Sequence, residues 1–389
     1  MGPRCRIEKT VGNILHDVRL HGDDAVLKYA RRFDKFNSKT ARSLRVTDNE
    51  TNAAYGSIRP SFISTLKAIF ENVNSFYKRQ VPKSWRMKGP DGEWMGKIYN
   101  PIERVGVYIP AGTAPLVSTV YMTVLPAKIA GVPDITLATP PRPDGSVDPH
   151  TLVVANLLKV NRIFKVGGAQ AIGAMAYGTK TIPRVDKIVG PGNAYVTEAK
   201  RQVYGYVDLD MLAGPSEVVI LANHNASAAH VIGDLKAQAE HKGGMAILVT
   251  PSKLLAKAVQ AKVSGGYVVM VKNLDQGVEV VNQLAPEHLE IIVKDPRKVL
   301  SKIRNAGTIL VGPYSPAAVT DYYVGPSHVL PTGGTARWSS GLDVEAFIKS
   351  SHVVCYTKKA LDQAREAVGK IAGIEGLSEH IESIEARFK

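Results

Sequence analysis

The sequence predicts an α/β protein of two doubly wound, Rossmann-like domains with parallel sheets, plus helical N-terminal and C-terminal extensions. Three observations predict it. From Arg104 onward, short β-rich runs alternate with helical stretches, the pattern of βαβ units. Two such series follow one another, each about a hundred residues long, a usual domain size. On either side of them the apolar residues recur at helical spacing.

Taken in order, residues 7–36 read as helix, with apolar positions at Ile7, Val11, Ile14, Leu15, Val18, Leu20, Val26, Leu27 and Tyr29, and Gly22 within His21–Asp24 breaks the run in two. A second helical stretch spans Ser61–Tyr77. The segment Val81–Gly96, rich in Pro, Gly and Trp, reads as a loop crossing between units. The first series has strands at Val105–Ile109, Asp134–Ala138, Ile163–Val166 and Lys187–Val189, with helices near 118–130, 151–160, 169–178 and 193–204. The second has strands at Glu217–Leu221, Ala246–Thr250, Tyr267–Val271, Leu289–Val293 and Thr308–Val311, with helices near 226–240, 252–263, 276–284 and 296–304. Residues 343–389 read as helical and end in the amphipathic GIEGLSEHIESIEARFK. The domain division that follows is 1–107, contributing to the first α/β domain; 108–217; 218–342, packed with 1–107; and a C-terminal arm, 343–389.

Composition narrows the class. Of 389 residues, 49 are Lys or Arg and 35 Asp or Glu, a net charge of +14, of which +9 falls in the first hundred residues. These residues are scattered, so a basic solvated surface and a field for anionic partners both fit. A nucleic-acid-binding role for this region is a remote alternative, since no RRM, KH or zinc-finger pattern accompanies it. With only Cys5 and Cys355, a disulfide framework and a Cys-rich zinc site are excluded, and a reducing, cytoplasmic setting is expected. No apolar run approaches the ~18 residues of a membrane span, and the first residues lack a signal-peptide core.

Several motifs carry possible chemistry. IPAGTAP (109–115), VGGA (166–169) and GPGN (190–193) each follow a predicted strand and precede a helix, where backbone N–H groups can meet a ligand. None is G-x-G-x-x-G with an acidic residue about 20 positions on. In QAEH, Gln238 and His241 share a helix face. They are either half of a metal site or a helix-end histidine before Gly243–Gly244. In APEHLEIIV, Glu287 and His288 form either a water-activating and proton-accepting pair or a polar lead-in to a buried strand. Asp321 and His328 lie in a Gly/Pro-rich stretch, and Glu375 and His380 in the last helix. Asp321, His241 and His380 are donors suited to zinc.

Together these segments resemble the histidinol dehydrogenase family over nearly the whole chain. HGDDAVLKYARRFDKF, ERVGVYIPAGTAPLVSTVYM, VGGAQAIGAMAYGT, VDKIVGPGNAYVTEAKR, DMLAGPSEVVILA, LKAQAEHKGG, LAPEHLEI, DYYVGPSHVLPTGGTARWSSGL and EGLSEHIESIEAR occur in that order and at those separations. The resemblance implies a zinc- and NAD-dependent oxidation of L-histidinol to L-histidine through L-histidinaldehyde, the last step of histidine biosynthesis. It implies Gln238, His241, Asp321 and His380 as metal ligands and Glu287 and His288 as the catalytic pair. Ser216 and Glu375 join these six as substrate contacts, and Tyr108, Gln170 and Asn193 serve the cofactor. It further implies a homodimer whose C-terminal arm enters the partner's site. Residues 108–217 would then be the cofactor side and 218–342 the metal and catalytic side. The chain departs from the family pattern at Ala111, Ala317, Thr320 and Ser327, which leaves a paralogous NAD-dependent dehydrogenase of another polar alcohol as the alternative.

Overall fold

The N-terminal helical run breaks where its glycine predicts. In the computed structural model, α1 (Pro3–His21) stops at Gly22, whose φ of 50° suits a residue without Cβ, and α2 (Asp23–Phe33) follows at once. The structure describes residues 3–37, 40–111, 114–241 and 243–389, apart from the side chains of Pro3 and Arg4. α3 (Asp48–Tyr55) starts on a capping box: Glu50 N donates to Thr47 Oγ1 at 3.2 Å, and Thr47 N donates to Glu50 Oε2 at 2.8 Å. α4 (Pro60–Tyr77) has Pro at its first position, where the missing N–H costs nothing.

The stretch expected to be a loop is a hairpin. β1 (Trp85–Lys88) and β2 (Trp94–Pro101) pair antiparallel, with Gly92 at φ 85° in the turn and Gly89 N donating to Glu93 O at 2.8 Å. Alternating Trp85, Met87, Met95 and positively charged neighbours were the strand signal, hidden by Pro82, Pro90 and the glycines. This hairpin belongs to a compact unit of its own, Val81–Pro101 with Ile348–Lys389; Met1–Gln80 with Ile102–Phe347 form the other.

In the larger unit the first series runs β3 (Arg104–Tyr108), α5 (Val117–Ala130), β4 (Asp134–Thr139), α6 (Pro149–Leu157), β5 (Arg162–Lys165), α7 (Gly168–Tyr177), β6 (Lys187–Val189), α8 (Ala194–Val203) and β7 (Asp208–Leu209). All strands pair in parallel, in the order β5-β4-β3-β6-β7. The apolar face of α1 and α2 (Val11, Leu15, Val18, Val26 and Ala30) packs with α7 and α8 into one buried core.

The second series runs β8 (Glu217–Ala222), α9 (Ala228–Ala239), β9 (Met245–Thr250), α10 (Lys253–Gln260), β10 (Tyr267–Met270), α11 (Leu274–Leu284), β11 (His288–Ile292), α12 (Pro296–Leu300), β12 (Thr308–Val311) and α13 (Ala317–Tyr322). Its order, β10-β9-β8-β11-β12, repeats the winding of the first sheet. Strand alternation divides its core. Val218, Ile220 and Ala222 pack with Val231 and Leu235 of α9, whereas Val219 and Leu221 pack with Val278 and Val281 of α11. On β11 the same alternation sends Leu289 and Ile291 to the α11 side and Ile292 to the α9 side. Truncating a buried Leu or Ile among these to Ala costs about 2–5 kcal/mol.

The smaller unit also differs from the expected all-helical C-terminus. Ile348–Cys355 form β13, antiparallel to β2 over eight paired residues. α14 (Lys358–Ile374) follows, capped by Thr357, whose Oγ1 accepts from Ala360 N at 3.1 Å. α15 (Ser378–Glu385) folds back on it, Arg365 pairing with Glu385. No helix among the described residues is long and apolar enough to cross a membrane.

Candidate active site

In each five-stranded sheet the winding reverses once, and the crevice at that reversal is where doubly wound folds bind ligands, beyond the strands' carboxyl ends. In the first sheet it lies between β3 and β6. Tyr108 is the last residue of β3, and Asn193 caps α8 just after β6, its Oδ1 accepting from Tyr195 N at 3.0 Å and Val196 N at 3.1 Å. The GPGN turn between them is braced from below. Gly190 N donates to Asp210 Oδ2 at 2.7 Å, and the buried Lys200 donates to Gly190 O at 3.0 Å while pairing with the equally buried Asp210. Gly190 has φ 113°, and a Cβ there would lie 2.1 Å from Tyr108 O, so only glycine lets β6 end this close to β3.

Asn193 and Gly192 line a cavity of about 650 Å³, together with Thr197, Arg201, Leu212 and Gly214. The other two cofactor candidates are buried beneath the VGGA turn. Tyr108 Oη accepts from Gly168 N at 3.1 Å, and Gln170 Nε2 donates to Asp34 Oδ2 at 3.2 Å. Burial holds the Tyr108 phenol far above its ordinary value and raises Asp34 as well. Asp34, which also accepts from Gly167 N at 3.1 Å, is a residue that sequence reading passed over. Gly112 and Thr113 of the IPAGTAP turn lie outside the described residues; Ala111 is exposed and bridges to Pro115.

The second cluster sits at the opposite, amino edge of the second sheet. Here β8 and β11 are neighbours, with His288 level with Val218, so the residues entering both strands converge. Glu287 Oε2 accepts from Glu217 N at 2.7 Å, while Glu217 Oε1 accepts from Gly333 N at 2.7 Å. Burial, with the Glu287 carboxylate adding to it, raises Glu217 above the usual carboxylate range. His288 is buried between two carboxylates, Nδ1 at 3.6 Å from Glu287 Oε2 and Nε2 at 3.4 Å from Asp321 Oδ1. These are ion-pair distances; neither ring nitrogen makes a hydrogen bond. Burial disfavours the charged ring, but Asp321 and Glu287 outweigh it and push His288 up to about 10.

Ser216, one residue ahead of β8, places Oγ 3.4 Å from Gln238 Oε1 at the end of α9. Gln238 Nε2 is buried without a partner. Exchanging the two amide atoms would let the nitrogen donate to Ser216 and leave the oxygen as the buried, unpaired atom. His241 follows α9 and is exposed, its N donating to Gln238 O at 3.1 Å. Gly244 completes this corner: a Cβ there would lie 2.9 Å from Gln238 Nε2 and 3.1 Å from His241 Cβ. His328 is half-buried beside Asp321, its Nδ1 2.9 Å from Asp321 O and its Nε2 3.1 Å from Thr119 Oγ1, and desolvation lowers its basicity.

A chain of contacts thus joins Gln238, Ser216, Glu217, Glu287, His288 and Asp321. Glu217 was not singled out from sequence, although a lone acid opening the apolar run EVVILA was its signal. Three of the four departures lie on α13 or shortly after it. Ala317 opens α13, Thr320 Oγ1 donates to Ala317 O at 2.7 Å, and Ser327 N donates to Tyr77 Oη at 2.7 Å. Glu375 and His380 belong to the other unit, where Glu375 ends α14 and His380 is exposed on α15.

A sequence model described as histidinol dehydrogenase matches residues 4–388. The chain is 43% identical to histidinol dehydrogenase of Heliobacterium mobile, over 99% of this chain and 94% of that protein. It is 45% identical to histidinol dehydrogenase 2 of Trichormus variabilis, over 98% and 92%. Among solved structures, histidinol dehydrogenase from Elizabethkingia anophelis superposes with a TM-score of 0.93 at 33% identity, covering 98% of this chain and 92% of that one. The chain is a member of the histidinol dehydrogenase family, an oxidoreductase.

Proposed function

We propose that this enzyme oxidises L-histidinol to L-histidine through bound L-histidinaldehyde, as the last step of histidine biosynthesis in the cytoplasm, using zinc and two molecules of NAD. The observation that carries the reading is the buried Glu287–His288–Asp321 row, joined through Glu217 and Ser216 to Gln238.

The residues fit a zinc ion. Gln238, His241 and Asp321 offer an amide, an imidazole and a carboxylate, a donor set that zinc accepts, and with its two amide atoms exchanged Gln238 presents a buried oxygen that no donor occupies. His380 would be the fourth donor, as the family resemblance implies. When bound, zinc supplies a dication with open positions for the substrate's imidazole and amine nitrogens. NAD fits the cavity at Asn193, where the α8 N-terminus and the GPGN turn meet, and supplies the hydride acceptor.

The chain's own residues then divide the work. Asp321 and Glu287 by themselves hold the His288 ring protonated; with the Asp321 carboxylate on zinc that hold is withdrawn, and the neutral Nε2 then takes the alcohol proton in the first oxidation. Glu287 takes a proton from the water that hydrates the aldehyde. Its fixed Oε2, held by Glu217 N, leaves Oε1 for that role. Ser216 and Glu375 contact the substrate, and Tyr108 and Gln170 shape the floor beneath the cofactor turn. The C-terminal arm acts in a homodimer, Glu375 and His380 of the partner subunit closing each pocket around the reactive aldehyde.

Reduced-cofactor formation with L-histidinol tests the reading. Turnover that stops on zinc chelation and returns with zinc is expected. Silence with histidinol beside turnover of another alcohol would reassign the substrate. For the exchanged arm, mixed dimers of His288→Asn and His380→Asn chains are expected to regain activity that neither has alone, and no rescue would refute a shared pocket.

A further inference from the structure

Glu290 sits in the apolar run HLEIIV, two residues beyond His288, and is 1% exposed. Strand alternation turns it toward α9 and α13. Its Oε1 accepts from Ala317 N, at the start of α13, at 2.8 Å. Its Oε2 is buried with no donor. Asp234 of α9, one helical turn ahead of Gln238 and on the helix face whose Val231 and Leu235 pack on this side of the sheet, is the half-buried acid it faces. Where the buried Glu290 and the half-buried Asp234 face one another, both carboxylates are acceptors. Their contact is attractive only with one proton held between them, as in other acid pairs.

We infer that Asp234 and Glu290 share one proton and act as a positioning clamp, holding together the three elements that carry Gln238, His288 and Asp321. This rests on the zinc reading above for its consequence, though not for its geometry. α9 carries Gln238 in its last turn, β11 begins with His288, and α13 carries Asp321; the clamp touches all three. Burial, reinforced by Asp234, lifts Glu290 to about 8, and burial raises Asp234 too. The other titratable groups facing the pair are His230 on α9 and His288 on β11; from α13 the contact is the backbone N of Ala317.

The sign of the pH effect follows. A carboxyl whose folded value is raised contributes stability that is full below its unfolded value and is lost as pH rises through the folded one. An amide holds the contact without a proton. The experiment compares wild type, Glu290→Gln, Asp234→Asn and Glu290→Ala, reading Tm from pH 5 to 9 and zinc retained after dialysis. The wild-type Tm is expected to fall relative to both amide variants as pH rises toward 8. Glu290→Ala is expected to be lower throughout and to lose zinc at least 10-fold faster than Glu290→Gln. Tm curves of wild type and both amide variants that stay parallel across this range would overturn the shared proton. Equal zinc loss from Glu290→Ala and Glu290→Gln would overturn the clamp. A wild type that never retains zinc would instead overturn the metal reading, while the Tm comparison still decides the pair.

Discussion

The two parallel sheets share one winding and use it differently. In both, the first three strands run outward on one side of the reversal and the last two on the other. The first sheet presents a cavity at its carboxyl edge, where GPGN turns into α8. The second presents its acids and histidines at the amino edge, where Ser216, Glu287 and His288 enter β8 and β11. A repeated architecture therefore fixes where a site can form, and the residues entering or leaving the strands fix which edge is used. One edge offers backbone and a helix terminus, suited to a phosphate-bearing cofactor. The other offers buried carboxylates about an imidazole, suited to moving protons.

The largest test of that division is His288→Asn. It removes the proton acceptor and leaves the first sheet untouched, so kcat is expected to fall about 10²–10⁴-fold with cofactor affinity intact. An equal loss of cofactor affinity would show that the edges are not separate in function. Next is the brace beneath the cofactor turn. Lys200→Met strands the buried Asp210 carboxylate and is expected to cost about 3–5 kcal/mol in denaturant unfolding. A loss under about 1 kcal/mol, the range of a surface pair, would mean the brace is not buried as described.

A matched pair of glycines gives a finer comparison. Gly190→Ala pushes a Cβ against Tyr108 O in the first sheet. Gly307→Ala pushes one to 2.6 Å from Glu287 O in the second. Each is expected to cost about 1–3 kcal/mol. Gly190→Ala should act mainly on the KM for NAD and Gly307→Ala mainly on kcat. The reverse assignment, read from steady-state kinetics, would exchange the roles of the two edges.

Most of this architecture was legible because it rests on local pattern. Strand alternation and βα spacing placed both sheets, and Gly22 placed the first helix break. Strand Ile348–Cys355 was not, because it owes its pairing to β2 across about 250 residues and no local period reports a partner that remote; the hairpin at Trp85–Pro101, though paired locally, was masked by Pro82, Pro90 and its glycines. At the site, residue types at Gln238, His241, Glu287 and His288 were visible as motifs. Their joining through Glu217, and the placing of Asp34 under Gln170, needed the β8–β11 register and the fold of α2 onto the first sheet. Asp234 and Glu290 went unnoticed for the same reason: an acid in an apolar strand becomes meaningful only once the group across from it is known.

The most direct measurement counts reduced nicotinamide formed per L-histidinol consumed, in wild type and in Glu287→Gln. Two per histidinol are expected from wild type. The variant is expected to approach one, with aldehyde accumulating, because His288 still serves the alcohol step while water activation is lost. Equal slowing of both oxidations in Glu287→Gln, with the yield remaining at two, would contradict the division of labour assigned to this edge.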